Sequence, residues 1–295
     1  MKAACATTRL AVKNVLVATD LSPGCETALN FARAIARRYD SKLFVTNVIS
    51  PSETAWIPPE YWGSTQQMIE EAAEKQLRAL GSKLEGLPHE LLLEHGAVSD
   101  AVSADIDKLG IDLLVLGTHG REGFGRFMMG SIAEEILRRV TCPILTVGPG
   151  VTTRAPREAE FKEIIFATNF GPESLAAAAY AISLAQEFQA RLTLVNIVAE
   201  HLESIDPRQV VMDRINRLRE LVPTEAELWC QPECVVESGK PDEQILNAAK
   251  ERNADLIVLG AKPVAWPTGP ATHVSRATAH TLISHAACPV MTVRG

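Results

Sequence analysis

Residues Asp112–Ser131 read DLLVLGTHGREGFGRFMMGS. The first six are a short apolar run closing on glycine, which fits a strand buried on both faces. The helix-period stretch IAEEILRRV follows Ser131. Between them lies a glycine-rich segment carrying Arg121 and Arg126. Such a strand–loop–helix junction is either an anion site or a flexible surface connection. The anion reading has a physical basis. The first N–H groups of a helix lack internal partners, its dipole favours negative charge, and glycines let backbone approach closely and take positive φ. Ser131 at the helix start would cap it and donate to a phosphate oxygen. The two arginines would face phosphate charge. No GK[ST] follows, so this is not a P-loop, and a dinucleotide GxGxxG would have to follow the first strand instead.

Working outward, the chain repeats itself. NVLVATDLSP, from Asn14, returns as EIIFATNFGP, from Glu163. KLFVTNVI (Lys42 to Ile49) returns as RLTLVNIV (Arg191 to Val198), DLLVLG as DLIVLG (Asp255 to Gly260), and CPILTV (Cys142 to Val147) as CPVMTV (Cys288 to Val293). At roughly 145 residues the repeat is far longer than a solenoid unit of about 20–50 and marks a duplicated domain. The expected layout is a first domain over 1–148, a linker rich in Gly, Pro and Thr over 149–159, and a second domain over 160–295.

Within the first half, apolar runs alternate with helical periods. VLVATD is a strand, and Ser22-Pro23 caps and opens a helix through ALNFARAIARRY. Lys42 to Ile49 is the second strand, Thr65 to Leu84 a long amphipathic helix, and Leu91 to Glu94 a third strand. Asp100 to Leu109 is a helix, Leu113 to Leu116 the fourth strand, Ile132 to Val140 the last helix, and Ile144 to Val147 the fifth strand. Continuous apolar strands alternating with helices imply an α/β fold, a doubly wound open sheet of five mainly parallel strands in each half. Ligands of such sheets bind beyond the carboxyl ends of the strands, which places Asp20 and Gly117 at the same end. Residues 50–63, with three prolines, read either as a functional loop or lid or as a decorated connection, in which Trp56, Tyr61 and Trp62 would simply cover the sheet edge.

Bulk properties exclude several classes. The 295 residues suffice for two cores, and the net charge of −7 without a basic run argues against nucleic acid or an anionic membrane. No stretch reaches the roughly 18 apolar residues of a membrane span. Arg9 and Lys13 interrupt any signal-peptide core, and six cysteines in so long a chain do not make a disulfide scaffold. The simplest compartment is a reducing cytoplasm.

The loop fits G-x2-G-x9-G-[ST] through Gly117, Gly120, Gly130 and Ser131. Behind the fourth strand of a five-stranded α/β domain, with Asp20 upstream, this pattern resembles the ATP-binding universal stress proteins, and the resemblance spans both halves. It implies two tandem domains of the adenine nucleotide alpha hydrolase-like fold, paired through their last strands as an intramolecular pseudo-dimer, with homodimerisation of whole chains left open. It implies an adenine nucleotide as partner and ATP as ligand, with Mg2+ as an optional bridge between phosphates. Asp20 would bond the nucleoside, with Ala18 and Thr19 lining the same strand end. Val48 would meet adenine through its backbone. Leu116, Gly117, His119, Gly120, Arg121, Gly130, Ser131 and Ile132 would surround ribose and phosphates. A stress-response sensor or signalling module follows, with at most weak ATP hydrolysis. A slow ATPase using the same pocket and a partner-binding protein without nucleotide dependence are the alternatives. Asp20 as a plain turn residue, and a His119 that bonds only backbone, are the structural alternatives.

The second half keeps the strands and loses the loop. AKPVAWPTGPATHVSRATAH follows Gly260, with Pro263 in place of Gly120 and His273 in place of Gly130. Proline removes an N–H and cannot take positive φ. Asn169 stands for Asp20. This half is expected not to bind ATP in the family's way. Cys230 and Cys234, with His273, His280 and His285 beyond them, make a metal site conceivable, but nothing in their spacing forces them together. Cys142 and Cys288 read as packed small residues. Met128 and Met129 read as apolar contacts. Ser131 with His119 makes no readable triad.

Overall fold

The computed structural model describes residues 10–22, 24–51, 58, 61–118, 129–151, 161–198, 206–224, 226, 230, 232–261 and 273–294. The chain divides into two compact units. One is built on residues 11–147, the other on residues 160–295 together with 148–152 and Leu10.

In the first unit, β1 (Asn14–Ala18), α1 (Cys25–Tyr39), β2 (Lys42–Ile49), α2 (Trp62–Ser82), β3 (His89–His95), α3 (Val98–Leu109), β4 (Leu113–Gly117), α4 (Ser131–Arg139) and β5 (Ile144–Val147) follow in order. The strands lie in the order β3-β2-β1-β4-β5, and every pair is parallel. The second unit repeats the plan with β6 (Glu163–Ala167), α5 (Pro172–Phe188), β7 (Arg191–Val198), α6 (Pro207–Leu221), β8 (Glu233–Ser238), α7 (Pro241–Glu251), β9 (Leu256–Gly260), α8 (His273–His285) and β10 (Val290–Val293). Its order is β8-β7-β6-β9-β10, again all parallel. This is the doubly wound α/β architecture expected from the apolar runs. Among the described residues no helix is long and apolar enough to cross a membrane.

One aspartate anchors the foot of each sheet. Asp112 Oδ2 accepts from the Lys13 and Asn14 N–H groups at 2.7 and 2.9 Å, and Asp255 Oδ2 accepts from Lys162 and Glu163 at 2.8 and 3.0 Å. Helix ends obey the same duplication. Gly110 ends α3 in the left-handed region at φ 58°, where the second unit has Asn253 at φ 50°. Both residue types tolerate that conformation. Tyr61 is 59% exposed, so it does not cover the sheet edge as the sequence suggested. Trp56 and the side chain of Trp62 lie outside what is described.

On one face of the first sheet, Leu16, Ala18, Phe44, Val48, Leu114 and Leu116 pack against Val102 and Ile106 of α3 and Ala133 and Ile136 of α4. Met129 packs against the same cluster, as an apolar contact. One residue of α3 breaks the apolar rule. Asp105 is 4% exposed, and its Oδ2 has no hydrogen-bond partner among the described residues. Burial pushes its carboxyl above the usual 3.8, Glu94 adding to the shift while Thr46 and Lys108 oppose it. At the aligned positions the second unit has Val195 for Thr46 and Ala248 for Asp105. The folded state therefore holds the Asp105 proton more tightly than the unfolded chain does. The associated stability is full below the unfolded pKa and declines as pH rises through the folded value. Asp105→Asn should remove this decline and raise Tm at pH 7.5 by about 2–4 °C, leaving the melt below pH 4 nearly unchanged. Thermal melts across pH 3–8 check it.

Candidate functional site

β1 leaves the sheet at Ala18, and the next residues are held by short-range bonds. The Thr19 N–H donates to Thr46 O at 2.9 Å, and Asn47 Nδ2 donates to Thr19 O at 2.8 Å. Thr19 Oγ1 accepts from the Leu21 N–H at 3.0 Å, and Leu21 is left-handed at φ 62°. Asp20 Oδ1 accepts from the Ser22 N–H at 3.0 Å and from the Cys25 thiol at 2.9 Å. Short polar side chains here bond the backbone of a tight turn. Burial pushes the Cys25 thiol up, and the hydrogen bond and charge of Asp20 push it further. It stays protonated and acts as a donor.

The second unit builds the same turn. Asn196 Nδ2 donates to Thr168 O at 2.7 Å, the Phe170 N–H to Thr168 Oγ1 at 3.0 Å, and Phe170 is left-handed at φ 61°. Asn169 Oδ1 accepts from the Gly171 N–H at 2.9 Å and from Ser174 Oγ at 3.0 Å. An amide oxygen thus serves the turn as well as a carboxylate oxygen does. What the turn requires is an oxygen, not a charge.

The two units part company at the helix that follows. Ser174 is the third residue of α5, whereas its counterpart Cys25 is the first of α1. In α5, Gly171 is the N-cap, Pro172 takes the first position and Glu173 lies in the first turn, a favourable start. In the first unit Gly24 stands where Glu173 does, and glycine is a poor helix former. α1 is bounded at Cys25, although Gly24 already has helical angles of φ −64° and ψ −27°, and no side chain caps it. Gly24 and not Ser22 is the N-cap, correcting the expectation that Ser22 caps the helix. Pro23 is outside the described residues.

The tips of the fourth strands also differ. A Cβ built on Gly260 would lie 2.3 Å from Glu173 C and Ser174 N, so the first turn of α5 rests directly on the tip of β9. A Cβ built on Gly117 would find Ala28 Cβ and Cys25 Sγ as its nearest neighbours, both at 3.9 Å. Among the described residues, the tip of β4 keeps clearance that the tip of β9 has lost.

Beyond β4, the Gly130 N–H donates to Thr118 O at 3.2 Å and the Glu134 N–H donates to Gly130 O at 3.0 Å. Gly130 is the N-cap of α4, at φ −63°, and no side chain caps the helix. Ser131 is its first helical residue and not its cap, a second correction. Neither Gly117 nor Gly130 has positive φ, so here the missing side chain matters and not the conformation. A Cβ on Gly130 would meet Thr118 O at 3.3 Å.

Ala18, Thr19, Val48 and Leu116 are buried, Asp20 and Gly117 half-buried, and Gly130, Ser131 and Ile132 exposed. The Val48 side chain belongs to the core, which leaves only its backbone for a ligand. Asp20 and Gly117 come together through Cys25, which touches the first and lies beside the second. His119, Gly120, Arg121 and Arg126 lie outside the described residues. Two residues escaped the sequence reading. Asn47 pins the end of β1, and its signal was an asparagine at the same strand position in both halves. Cys25 holds Asp20, and its signal was a small donor five residues after Asp20, as Ser174 follows Asn169. Among the described residues no three His, Cys, Asp or Glu side chains gather as metal ligands. Burial raises the Cys230 thiol to about 11 and the Cys288 thiol to about 12, which fits Cys288 as a packed residue.

The universal stress protein family model matches residues 11–148 and again residues 160–294. The chain belongs to the universal stress protein family. A universal stress protein of Methanocaldococcus jannaschii is 26% identical over 138 residues, 46% of this chain and 81% of the relative. Universal stress protein A homolog 1 of Coxiella burnetii is 34% identical over 140 residues, 46% of this chain and 95% of the relative. Among solved structures, a universal stress protein from Archaeoglobus fulgidus superposes with a TM-score of 0.75 at 18% identity, covering 97% of this chain and 99% of that one. At that identity the likeness is one of fold. In this tandem universal stress protein architecture the two fourth-strand glycines should behave oppositely. Gly260→Ala should cost about 1–3 kcal/mol through backbone overlap, and Gly117→Ala less than about 0.5 kcal/mol. Denaturant titrations of the two variants measure the difference.

Proposed function

We propose that the first unit binds an adenine nucleotide, ATP foremost, across the carboxyl ends of β1 and β4, and that the chain acts as a nucleotide-dependent sensor or signalling module in a stress response. The carrying observation is the clearance above Gly117, set against the filled position above Gly260 in an otherwise duplicated turn. The G-x2-G-x9-G-S spacing adds to it, because Gly117 and Gly130 flank the start of a helix that no side chain caps. In this reading Asp20 bonds the nucleoside and the Val48 backbone meets adenine. Ala18, Thr19 and Leu116 form the buried wall, while Gly130, Ser131 and Ile132 take the phosphates. His119, Gly120 and Arg121 complete the loop on sequence grounds alone. Mg2+ would accompany the phosphates as it does in other nucleotide sites. Asp20 is already held by two donors, which favours binding over turnover.

The second unit is assigned no nucleotide by this route, since its own α5 rests where a ligand would enter. Isothermal titration with ATP and Mg2+ should give one site per chain. Gly130→Asp, which adds a carboxylate at the phosphate end, should weaken binding by at least about 100-fold, consistent with a charge placed against an anion. Two sites, or an unaffected variant, would defeat the reading.

A further inference from the structure

We infer that Cys25 is the positioning residue of this nucleotide site, holding Asp20 through an S–H···O bond that a hydroxyl can replace and a methyl cannot. The inference rests on the nucleotide reading above and adds a residue that the glycine-loop pattern does not contain.

Cys25 is the first residue of α1 and is buried. Its thiol lies 2.9 Å from Asp20 Oδ1, and its sulfur is 3.9 Å from the position that a side chain on Gly117 would occupy. It therefore links the tips of β1 and β4, the two strand ends that the proposed ligand spans. Cys25, the first residue of α1, aims its thiol back at the turn, as Ser174, the third residue of α5, aims its hydroxyl. The Ser22 N–H bonds the same Oδ1 at 3.0 Å, so two donors from different positions fix the plane of the carboxylate. Loss of the thiol donor would leave the carboxylate more mobile about its Cβ–Cγ bond. A rotating carboxylate loses part of the gain from bonding a nucleoside, because its freedom must be removed on binding.

The second unit supplies the internal comparison. Ser174 occupies the aligned position and donates to Asn169 Oδ1 at 3.0 Å. Within one chain, the two turns thus use a thiol on a carboxylate and a hydroxyl on an amide for the same bond. Packing alone does not require a donor at this position, since alanine would fit the same space. Burial and the Asp20 charge both keep the thiol protonated, so the donor is present throughout the neutral range.

The test compares Cys25→Ser and Cys25→Ala with the wild type, using ATP titrations in Mg2+, thermal melts, and amide exchange at Ser22. The Ser variant should bind ATP within about threefold of wild type, and the Ala variant about tenfold more weakly, the scale of one lost hydrogen bond. Ser22 exchange should quicken only in the Ala variant. Equal binding by all three proteins would overturn the inference, as would a Ser variant as weak as the Ala variant, which would mean packing and not a hydrogen bond. Wild type that binds no adenine nucleotide would sink the nucleotide reading and, with it, Cys25 as part of a binding site. Ser22 exchange would then show separately whether the thiol still orders the turn.

Discussion

The constraint on which both units depend is the exit of the first strand from a buried parallel sheet. Thr19 and Thr168 stand where the ladder ends, and their carbonyls would be orphaned among apolar neighbours. Asn47 and Asn196 reach across from the adjacent strand to satisfy them, at 2.8 and 2.7 Å. Leaving such a carbonyl unmatched would cost about 1–3 kcal/mol. The chain then turns through a left-handed residue that is not glycine, Leu21 or Phe170. That conformation is unfavourable for a bulky side chain, and the threonine hydroxyl and Asx oxygen on either side hold it in place. Once this turn is set, the position of the following helix decides what the strand tips can do.

The duplication separates folding from function more cleanly than either unit would alone. The aspartate clamp at the foot, the asparagine across β1 or β6 and the left-handed turn occur twice. They belong to the fold. The start of the following helix, the charge at Asp20, the clearance above Gly117 and the glycine loop occur once. The polar pair Thr46 and Asp105 also occurs once, with Val195 and Ala248 in the second unit, and it lies in the core and not at the strand tips.

Much of this was legible in the sequence. The strand runs are apolar throughout because both faces of each sheet are covered, so VLVA, LFV and LLVL could hardly be anything else. The repeat was visible because the same strands recur in the same order. What could not be read was geometry. Nothing in a single sequence reveals how close the first turn of α5 comes to Gly260. Ser131 looked like a cap because serine favours that position, yet the preceding glycine holds it in the structure. Asp105 was unreadable as a buried acid, since its helix pattern is satisfied by Val102 and Ile106.

The glycine at the tip of β9 also bears on how the two halves can change over generations. Gly260 is fixed by backbone contact inside its own unit, so selection for a folded protein preserves it whether or not that unit has a ligand. Among the described residues no backbone lies so close to Gly117, so in the present reading its persistence depends on the ligand. A lineage that ceased to use the first site would be free to lose Gly117 by drift while still retaining Gly260, so the glycine that outlasts function is the one in the half with no proposed ligand.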